Sequence, residues 1–434
     1  MTETPKLQVA IVGAGIAGLA AAIALKHHPA VDVQIYERAA ELREIGASIA
    51  LGPNGMRTLD RLGVHNALDD SVAFRNKSRH PMIYRTNEDV SVDNHKGPVE
   101  DRHLTSRFYR AHLHQALASH VEPSRLHLSK AFSAASWDES SQKLTITFAD
   151  GTAAAADVLL GADGIHSRVR TQYVPSSRTA WTGWTTLRSV FPVSPHLDHL
   201  GPDIVPDEAV HVWGPDRTLF LSRLGGGLFT VVGSAQSDPL TPDAPYRDST
   251  WNSDGDLEVL RDYYRDWSPA VRAIVDAVPH TRVYPNSTAH ALDTWVLGNG
   301  RVTLAGDAAH AHGGAFAAGG SLALDDAWAF AASIFQAISP DSARAPTTHD
   351  IAGALALYER TRKPHTDQVM KVVAQMNARK VDEVSRGTVI TDAELRRRMK
   401  ERADTSWIHE HDVTKSFRAA SSSEPAGQEQ QARL

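Results

Sequence analysis

Hydrophobic and polar positions alternate with different periods along the chain, and the changes in period mark its elements. Leu7–Val12 is an apolar, β-prone run, residues 13–18 are rich in glycine, and residues 19–26 are rich in alanine. That order predicts a strand, a tight turn and a helix, and a second strand follows at Val31–Tyr36. A strand–helix–strand opening predicts a parallel sheet with helices on its faces. Residues 69–99 are polar and irregular, whereas residues 110–120 carry Leu113 and Leu117 on one helical face and resume the first domain. Residues 144–148 alternate like a half-buried strand, turn at Asp150-Gly151, and lead through a short buried strand at 158–160 into Gly161-Ala162-Asp163-Gly164.

Between residues 179 and 283 the pattern becomes one of short β-prone runs, at 185–191, 209–213, 219–221 and 228–232, separated by Pro, Gly and Asp. This predicts an inserted, mostly antiparallel sheet. Residues 301–305 return to the buried-strand pattern, end at Gly306-Asp307, and precede a helix over residues 321–338. A Pro/Ser-rich connector at 339–349 leads to helical segments reaching residue 403. The expected division is therefore a discontinuous first domain (1–75, 98–180, 283–345), a sheet domain (76–97, 181–282), a C-terminal helical segment (346–418) and a disordered tail (419–434). No internal repeat is visible.

Composition narrows the function. The 434 residues suit two or three domains, and 42% hydrophobic with 22% charged residues is globular. A net charge of -6, from 45 basic and 51 acidic side chains, gives no footprint for nucleic acid. With no cysteine there is no disulfide, thiolate nucleophile or sulfur-ligated cluster, so redox chemistry requires a bound cofactor. Residues 1–6 lack a basic start and cleavage site, which predicts a cytoplasmic location. The longest apolar stretch, 327–338, is short of the roughly 20 residues that cross a bilayer, so no membrane association is expected. Twenty-two histidines include no His-Glu-x-x-His, and neither His27-His28 nor His310-x-His312 has a third ligand at useful spacing, so no metal site is expected. Arg396, Arg397, Arg398 and Lys400 lie among acids and read as a solvated helix face.

The chemistry-bearing residues start at Gly13-x-Gly15-x-x-Gly18, between a strand and a helix. Missing Cβ atoms there let backbone approach a pyrophosphate, and the helix start offers unpaired N–H groups. Glu37 closes the second strand 24 residues after Gly13, where a carboxylate accepts from an adenosine ribose. The alternative is a plain glycine turn followed by a surface glutamate. The βαβ unit alone leaves NAD and FAD both open.

Two further segments, Gly161-Ala-Asp163-Gly-Ile-His-Ser-Arg-Val-Arg170 and Gly306-Asp307-Ala-Ala-His310, complete a set that resembles the aromatic-ring flavin monooxygenases. The likeness runs over nearly the whole chain and is nearest to the salicylate hydroxylase and para-hydroxybenzoate hydroxylase group, fungal relatives included. It implies an α/β fold: a Rossmann-like FAD-binding domain with a parallel sheet, an inserted antiparallel substrate sheet and C-terminal helices. It implies that Gly13, Gly15, Ala17, Gly18, Glu37 and Arg38 hold the ADP part of a non-covalent FAD, and that Arg110 reaches the cofactor. Asp163 would pack near it and serve NAD(P)H use. Gly306 and Asp307 would meet the ribityl chain, and Gly319 and Gly320 would start the helix facing the flavin pyrimidine. The physical reasons hold beside the likeness: a carboxylate accepts from ribityl hydroxyls, and N–H groups at a helix start favour the charge of a reduced flavin. An alternative for Arg110 is a solvated arginine at a helix start.

The sequence departs from the family at the third segment. A proline usually stands four residues after its histidine, and this chain has Gly314, which leaves the loop freer or wider. His312 then becomes a candidate to face substrate, against a packing role. Trp181-Thr-Gly-Trp-Thr-Thr-Leu-Arg188 resembles the stretch whose arginine holds a phenolate in some relatives, making Arg188 the candidate for orienting substrate; a structural salt bridge is the alternative. The tyrosine that often partners this arginine is missing from residues 218–223, and Arg217 or Arg223 is a further candidate for binding a carboxylate. The resemblance implies NADH or NADPH as reductant, O2 as co-substrate, and hydroxylation of a small phenolic substrate, with oxidative decarboxylation and dearomatisation equally open. A monomer or homodimer is expected. An FAD oxidase or dehydrogenase on the same scaffold is the second reading, and a non-catalytic flavin sensor the third; the lysine/tryptophan pattern of a halogenase is missing.

Overall fold

The computed structural model describes residues 6–42, 47–86, 89–201, 203–241, 245–338 and 346–423. The expected start at 1–5, most of the 339–349 connector and residues 424–434 of the expected tail lie outside them. A five-stranded parallel sheet runs in the order Val302–Leu304, Val158–Gly161, Leu7–Val12, Val31–Tyr36, Leu126–His127. Its three strands Val302–Leu304, Val158–Gly161 and Leu7–Val12 are almost continuously buried, as a sheet covered on its faces requires. Helix Ile16–Leu25 is buried along its whole length, which explains its run of alanines: small side chains let it lie close between the sheet and helix Gly319–Ala337.

The second large sheet has eight strands among the described residues, in the order Ser253–Asp254, Arg282–Ala289, Thr179–Pro192, Leu228–Gln236, Arg217–Arg223, Val210–Trp213, Ile83–Arg85, Val90–Val92. Every pairing is antiparallel except that of Val210–Trp213 with Ile83–Arg85. The segment 69–99 is thus less irregular than its polarity suggests, since its strand Ile83–Arg85 pairs with Val210–Val212, more than a hundred residues away, and Val90–Val92 pairs with Ile83–Arg85 in turn. Leu187, Leu219, Leu221, Phe229 and Val231 bury one face of this sheet against Leu260, Ile274 and Val275 of two short helices.

Two consecutive aspartates lock the layers together. Asp325 and Asp326 on Gly319–Ala337 are both 0% exposed. Successive helical residues point about 100° apart, so the two reach different neighbours. Asp325 accepts from Asn54 Nδ2 (3.1 Å) and Thr58 Oγ1 (2.7 Å) of helix Pro53–Arg61. Asp326 accepts from Arg362 Nε (2.8 Å) on the long helix Thr348–Ser385 and from Gly306 N (2.9 Å), and pairs with His310 Nε2 (2.6 Å). Burial penalises the charge of Asp326, but His310 and Arg362 outweigh it and hold the carboxyl at about 2. Burial pushes the pKa of Asp325 up, against the pull of Arg362 and its hydrogen bonds.

The expected tail is a correction. Val413–Ser422 is a helix, so residues 419–422 are ordered, and a preceding short helix, Ser406–His409, brings Ile408 onto Ala318, Leu322, Val369 and Val373. Few apolar residues sufficed because the segment docks on an existing surface. Arg57 Nη2 donates to the carbonyls of Glu410 (2.9 Å) and His411 (2.8 Å). The rings of His365 and His411 stack at 3.8 Å. Among the described residues no helix is long and apolar enough to cross a membrane.

Asp326→Ala leaves the buried guanidinium of Arg362 without its acid and His310 Nε2 without its acceptor, and the expected cost is about 3–5 kcal/mol in urea unfolding; a loss below about 1 kcal/mol would contradict the locking role. Burial, then the charges around them, depresses His365 to about 2 and His411 to about 3 from the ordinary 6.5. Both rings are neutral when folded and protonate in the unfolded chain below pH 6.5, so stability falls as pH drops, by ~1.4 kcal/mol per unit for each ring. His411→Phe should shrink the stability lost between pH 6.5 and 5.5 by about 1 kcal/mol; an unchanged pH slope would refute it.

Candidate functional site

Two glycines of the first turn are required by close backbone approach, and the third faces open space. Gly13 has φ +105° and a Cβ there would lie 2.4 Å from the Ala162 carbonyl oxygen, while one on Gly18 would lie 2.0 Å from that of Gly13. A Cβ on Gly15 would meet nothing within 4 Å, so this residue fronts open space at the start of Ile16–Leu25. Glu37 stands beside it: Oε2 accepts from Ala14 N (2.8 Å) and Oε1 from Ala39 N (2.9 Å). Arg38 is exposed next to it, and Ala17 turns its methyl toward Gly306. His114 Nε2 donates to the Ala14 carbonyl (2.7 Å), tying helix Arg110–Ala118 to the turn.

Asp163 has a definite local task. Its Oδ2 accepts from Arg168 N (2.7 Å) and Val169 N (3.2 Å), capping helix Arg168–Tyr173. Its Oδ1 is buried with no hydrogen-bond partner among the described residues. Burial pushes this carboxyl's pKa up.

Asp307, in contrast, leaves its carboxylate exposed at the start of the short helix Asp307–His310, below a Gly306 held at φ +59°. A Cβ on Gly319 would lie 4.0 Å from Asp307 Oδ1 and 3.5 Å from His312 Cε1, so all three meet at the start of the 19-residue helix Gly319–Ala337. That helix has no side-chain cap, leaving its first N–H groups for a ligand. Gly320 has a packing reason: a Cβ there would lie 2.8 Å from Ile49 Cδ1 and Leu51 Cδ2. Arg110 lies deep between the layers, within the field of Asp307 and Tyr284; burial, the larger effect, lowers its pKa.

His312 is 2% exposed. Its Nδ1 faces the His310 carbonyl at 3.3 Å, so Nδ1 carries the proton and the partnerless Nε2 is a bare acceptor. Burial lowers its pKa and keeps it neutral at pH 7. The glycine departure is also explained: Gly313 and Gly314 sit at φ +69° and +74°, which proline cannot adopt, and a Cβ on Gly314 would come 3.8 Å from Arg188 Nη2. The loop is wound left-handed again at Phe316 (φ +58°) and Ala317 (φ +51°).

Arg188 lies deep at the joint of the two sheets with part of its surface open. Its Nε donates to Thr186 Oγ1 (2.9 Å), and its guanidinium sits 5.1 Å from the Tyr284 ring centre. Among the described residues no carboxylate pairs with it, which removes the salt-bridge alternative. Tyr284 puts a tyrosine beside Arg188 where residues 218–223 offer none; it enters from a different strand, and its hydroxyl donates to Asn252 Oδ1 (2.7 Å). Only the pairing Thr186–Tyr284 reveals it. Arg217 and Arg223 are elsewhere: Arg217 pairs with Asp216 (2.8 Å) and Arg223 with Asp207 (2.7 Å). Among the described residues no group of three or more His, Asp or Glu side chains is placed to hold a metal.

The site thus joins an anion-accepting turn, an exposed carboxylate, an uncapped helix start and a cation under an aromatic ring. The FAD binding domain family matches residues 6–214. The chain is 27% identical over 378 residues to 6-hydroxynicotinate 3-monooxygenase of Bordetella bronchiseptica, covering 85% of this chain and 90% of that one. It is 30% identical over 330 residues to 3-amino-4-hydroxybenzoate 2-monooxygenase of Streptomyces cremeus, covering 74% and 76%. A solved salicylate hydroxylase substrate complex superposes with TM-score 0.77 over 98% of this chain and 100% of that one, at 22% identity, and shows the same fold. The open ground before Gly15, the free carboxylate of Asp307 and these likenesses agree, and the chain belongs to the FAD-dependent aromatic-ring monooxygenases.

Proposed function

We propose that this chain hydroxylates a small phenolic substrate at the expense of NADH or NADPH and O2, with the substrate held as its phenolate by Arg188. The observation that carries the reading is a deep guanidinium with no carboxylate partner among the described residues. Such a charge is costly unless an anion joins it, and a bound phenolate supplies one. The phenolate is also the nucleophilic form of the ring, so one contact both binds and activates. When bound, FAD supplies the activation of dioxygen by electrons taken from the nicotinamide.

The chain's own residues have distinct parts in this reading. Gly13, Gly15, Ala17 and Gly18 bring the helix start to the pyrophosphate, Glu37 accepts from the ribose, and Arg38 rims the ADP site. Asp307, presented by Gly306, accepts from the ribityl hydroxyls. The start of Gly319–Ala337, at Gly319 and Gly320, stabilises negative charge on the reduced ring. Arg110 reaches the cofactor from the opposite side, and Asp163 holds the second segment against Gly13. His312 Nε2 accepts a hydrogen bond at the flavin edge of the substrate space. Residues 1–75, 98–180 and 283–345 form the FAD domain, and 76–97 with 181–282 the substrate domain.

Purified protein supplemented with FAD, given NADH and NADPH separately and screened against phenols, should consume nicotinamide in a phenol-dependent way and release a product heavier by one oxygen. Stimulation by no aromatic would overturn the reading. Asp307→Ala should weaken FAD binding at least about tenfold in a flavin-fluorescence titration; undiminished affinity would remove Asp307 from the cofactor site. Arg188→Met should lower kcat/KM for the phenol about a hundredfold while FAD still binds; retained kcat/KM would exclude a phenolate contact.

A further inference from the structure

The eight-stranded sheet has two faces of opposite character. One is sealed against the short helices. On the other, strand register places Tyr84, His211, Phe220, Val232, Arg188 and Arg282 in a single cross-strand row. All six alternate with core residues, and Tyr84, His211, Phe220, Val232 and Arg188 keep part of their surface open. This face looks toward the cofactor layer: Arg188 lies beside Gly314, and Thr230, two residues before Val232, bonds Ser48 Oγ at 3.0 Å.

The row has a cation at Arg188, two apolar side chains in its middle and an imidazole at His211. Trp213 Nε1 contacts His211 Nδ1 at 3.2 Å. An indole nitrogen only donates, so Nδ1 is the bare acceptor and the proton of neutral His211 sits on Nε2. Burial, then the charge of Arg402, depresses the ring to about 4, so it is neutral at pH 7. Nε2 has no hydrogen-bond partner among the described residues and is not sealed off. Arg402, stacked 3.8 Å from the Tyr84 ring centre, is paired with Asp93, so this end of the row offers an N–H donor without a free charge.

We propose that His211 is a second substrate anchor, and that the substrate is an elongated aromatic with oxygen at both ends: a phenolate at Arg188 and an acceptor oxygen at His211 Nε2–H, its ring lying over Val232 and Phe220. The inference rests on the phenol reading above. Arg188 and His211 stand three strands apart, about 14 Å at the backbone. Two hydrogen bonds of about 3 Å leave roughly 8 Å between the two oxygens. A phenol whose para position carries a two-carbon arm ending in a carboxylate spans that; the adjacent oxygens of an ortho-hydroxy acid do not. His211 cannot serve as a base here, because its one free lone pair is taken by Trp213.

The test uses full-length FAD holoenzyme and dissociation constants read from the flavin visible spectrum. The probes are 4-hydroxycinnamate, 4-vinylphenol, which lacks only the carboxylate, and 2-hydroxybenzoate. The parent enzyme should bind 4-hydroxycinnamate at least about tenfold more tightly than either other probe. His211→Phe keeps the ring packing and should erase the preference over 4-vinylphenol while leaving 4-vinylphenol within about twofold; His211→Gln, which retains a donor, should restore part of it. Equal weakening of both para probes, an undiminished preference, or tighter binding of 2-hydroxybenzoate would overturn the inference. Failure of all three probes to bind would overturn it too, and would leave the phenol screen to decide the broader function by turnover.

Discussion

A single buried carboxylate holds the catalytic layer in register. Asp326 takes the backbone of Gly306, the ring of His310 and the guanidinium of Arg362 into one fully buried cluster. Gly306 precedes Asp307, and Asp326 itself stands two turns into the helix that begins at Gly319. The exposed carboxylate of Asp307 and the uncapped helix start are therefore fixed relative to each other by a charge that burial alone would destabilise. Asp325, one residue earlier, fastens the same helix to Asn54 and Thr58. The cluster holds because the Arg362 guanidinium and the hydrogen bonds from Gly306 and His310 offset one buried negative charge in a medium of low polarity.

Around that anchor the binding surfaces are built from deliberate incompleteness. Gly15 faces open space, Asp307 is exposed, and Arg188 keeps a guanidinium without an acid among the described residues. Elsewhere the same residue types are satisfied: Arg217 and Arg223 have aspartates, and Arg362 has Asp326. Polar groups left unpaired in the interior mark where a ligand completes the structure. The left-handed turn at residues 313–317 serves this surface, since it brings the backbone of Gly314 against Arg188 without a side chain between them.

The C-terminal segment closes the arrangement from outside. Arg402 reaches Asp93 and the Tyr84 ring, Glu410 meets Lys96 N at 3.0 Å, and Arg57 holds the carbonyls of residues 410 and 411. The strap thus bridges the substrate sheet and the helix layer. Its stacked histidines, neutral when folded, tie that bridge to pH.

What the amino-acid order determined by itself was local and periodic: the strand, glycine turn and helix at residues 7–25, the acid at Glu37, the third segment at Gly306-Asp307, and the alternation that marks an inserted sheet. These follow from spacing of 2 or 3.6 residues and from glycines whose positions the backbone demands, so a linear reading recovers them. Tertiary structure alone decided which distant residues share a surface. Tyr284 meets Arg188 only through strand pairing, 218–223 supplies Phe220 but no tyrosine, and His211 joins the row through three register relations. The partners of Asp326 come from two separate segments, at residues 306–310 and at Arg362, and the ordering of residues 419–422 comes from docking on helices already in place. None of these carries a periodic signal, because cross-strand register, burial and the pairing of charges depend on contacts between residues far apart in the chain.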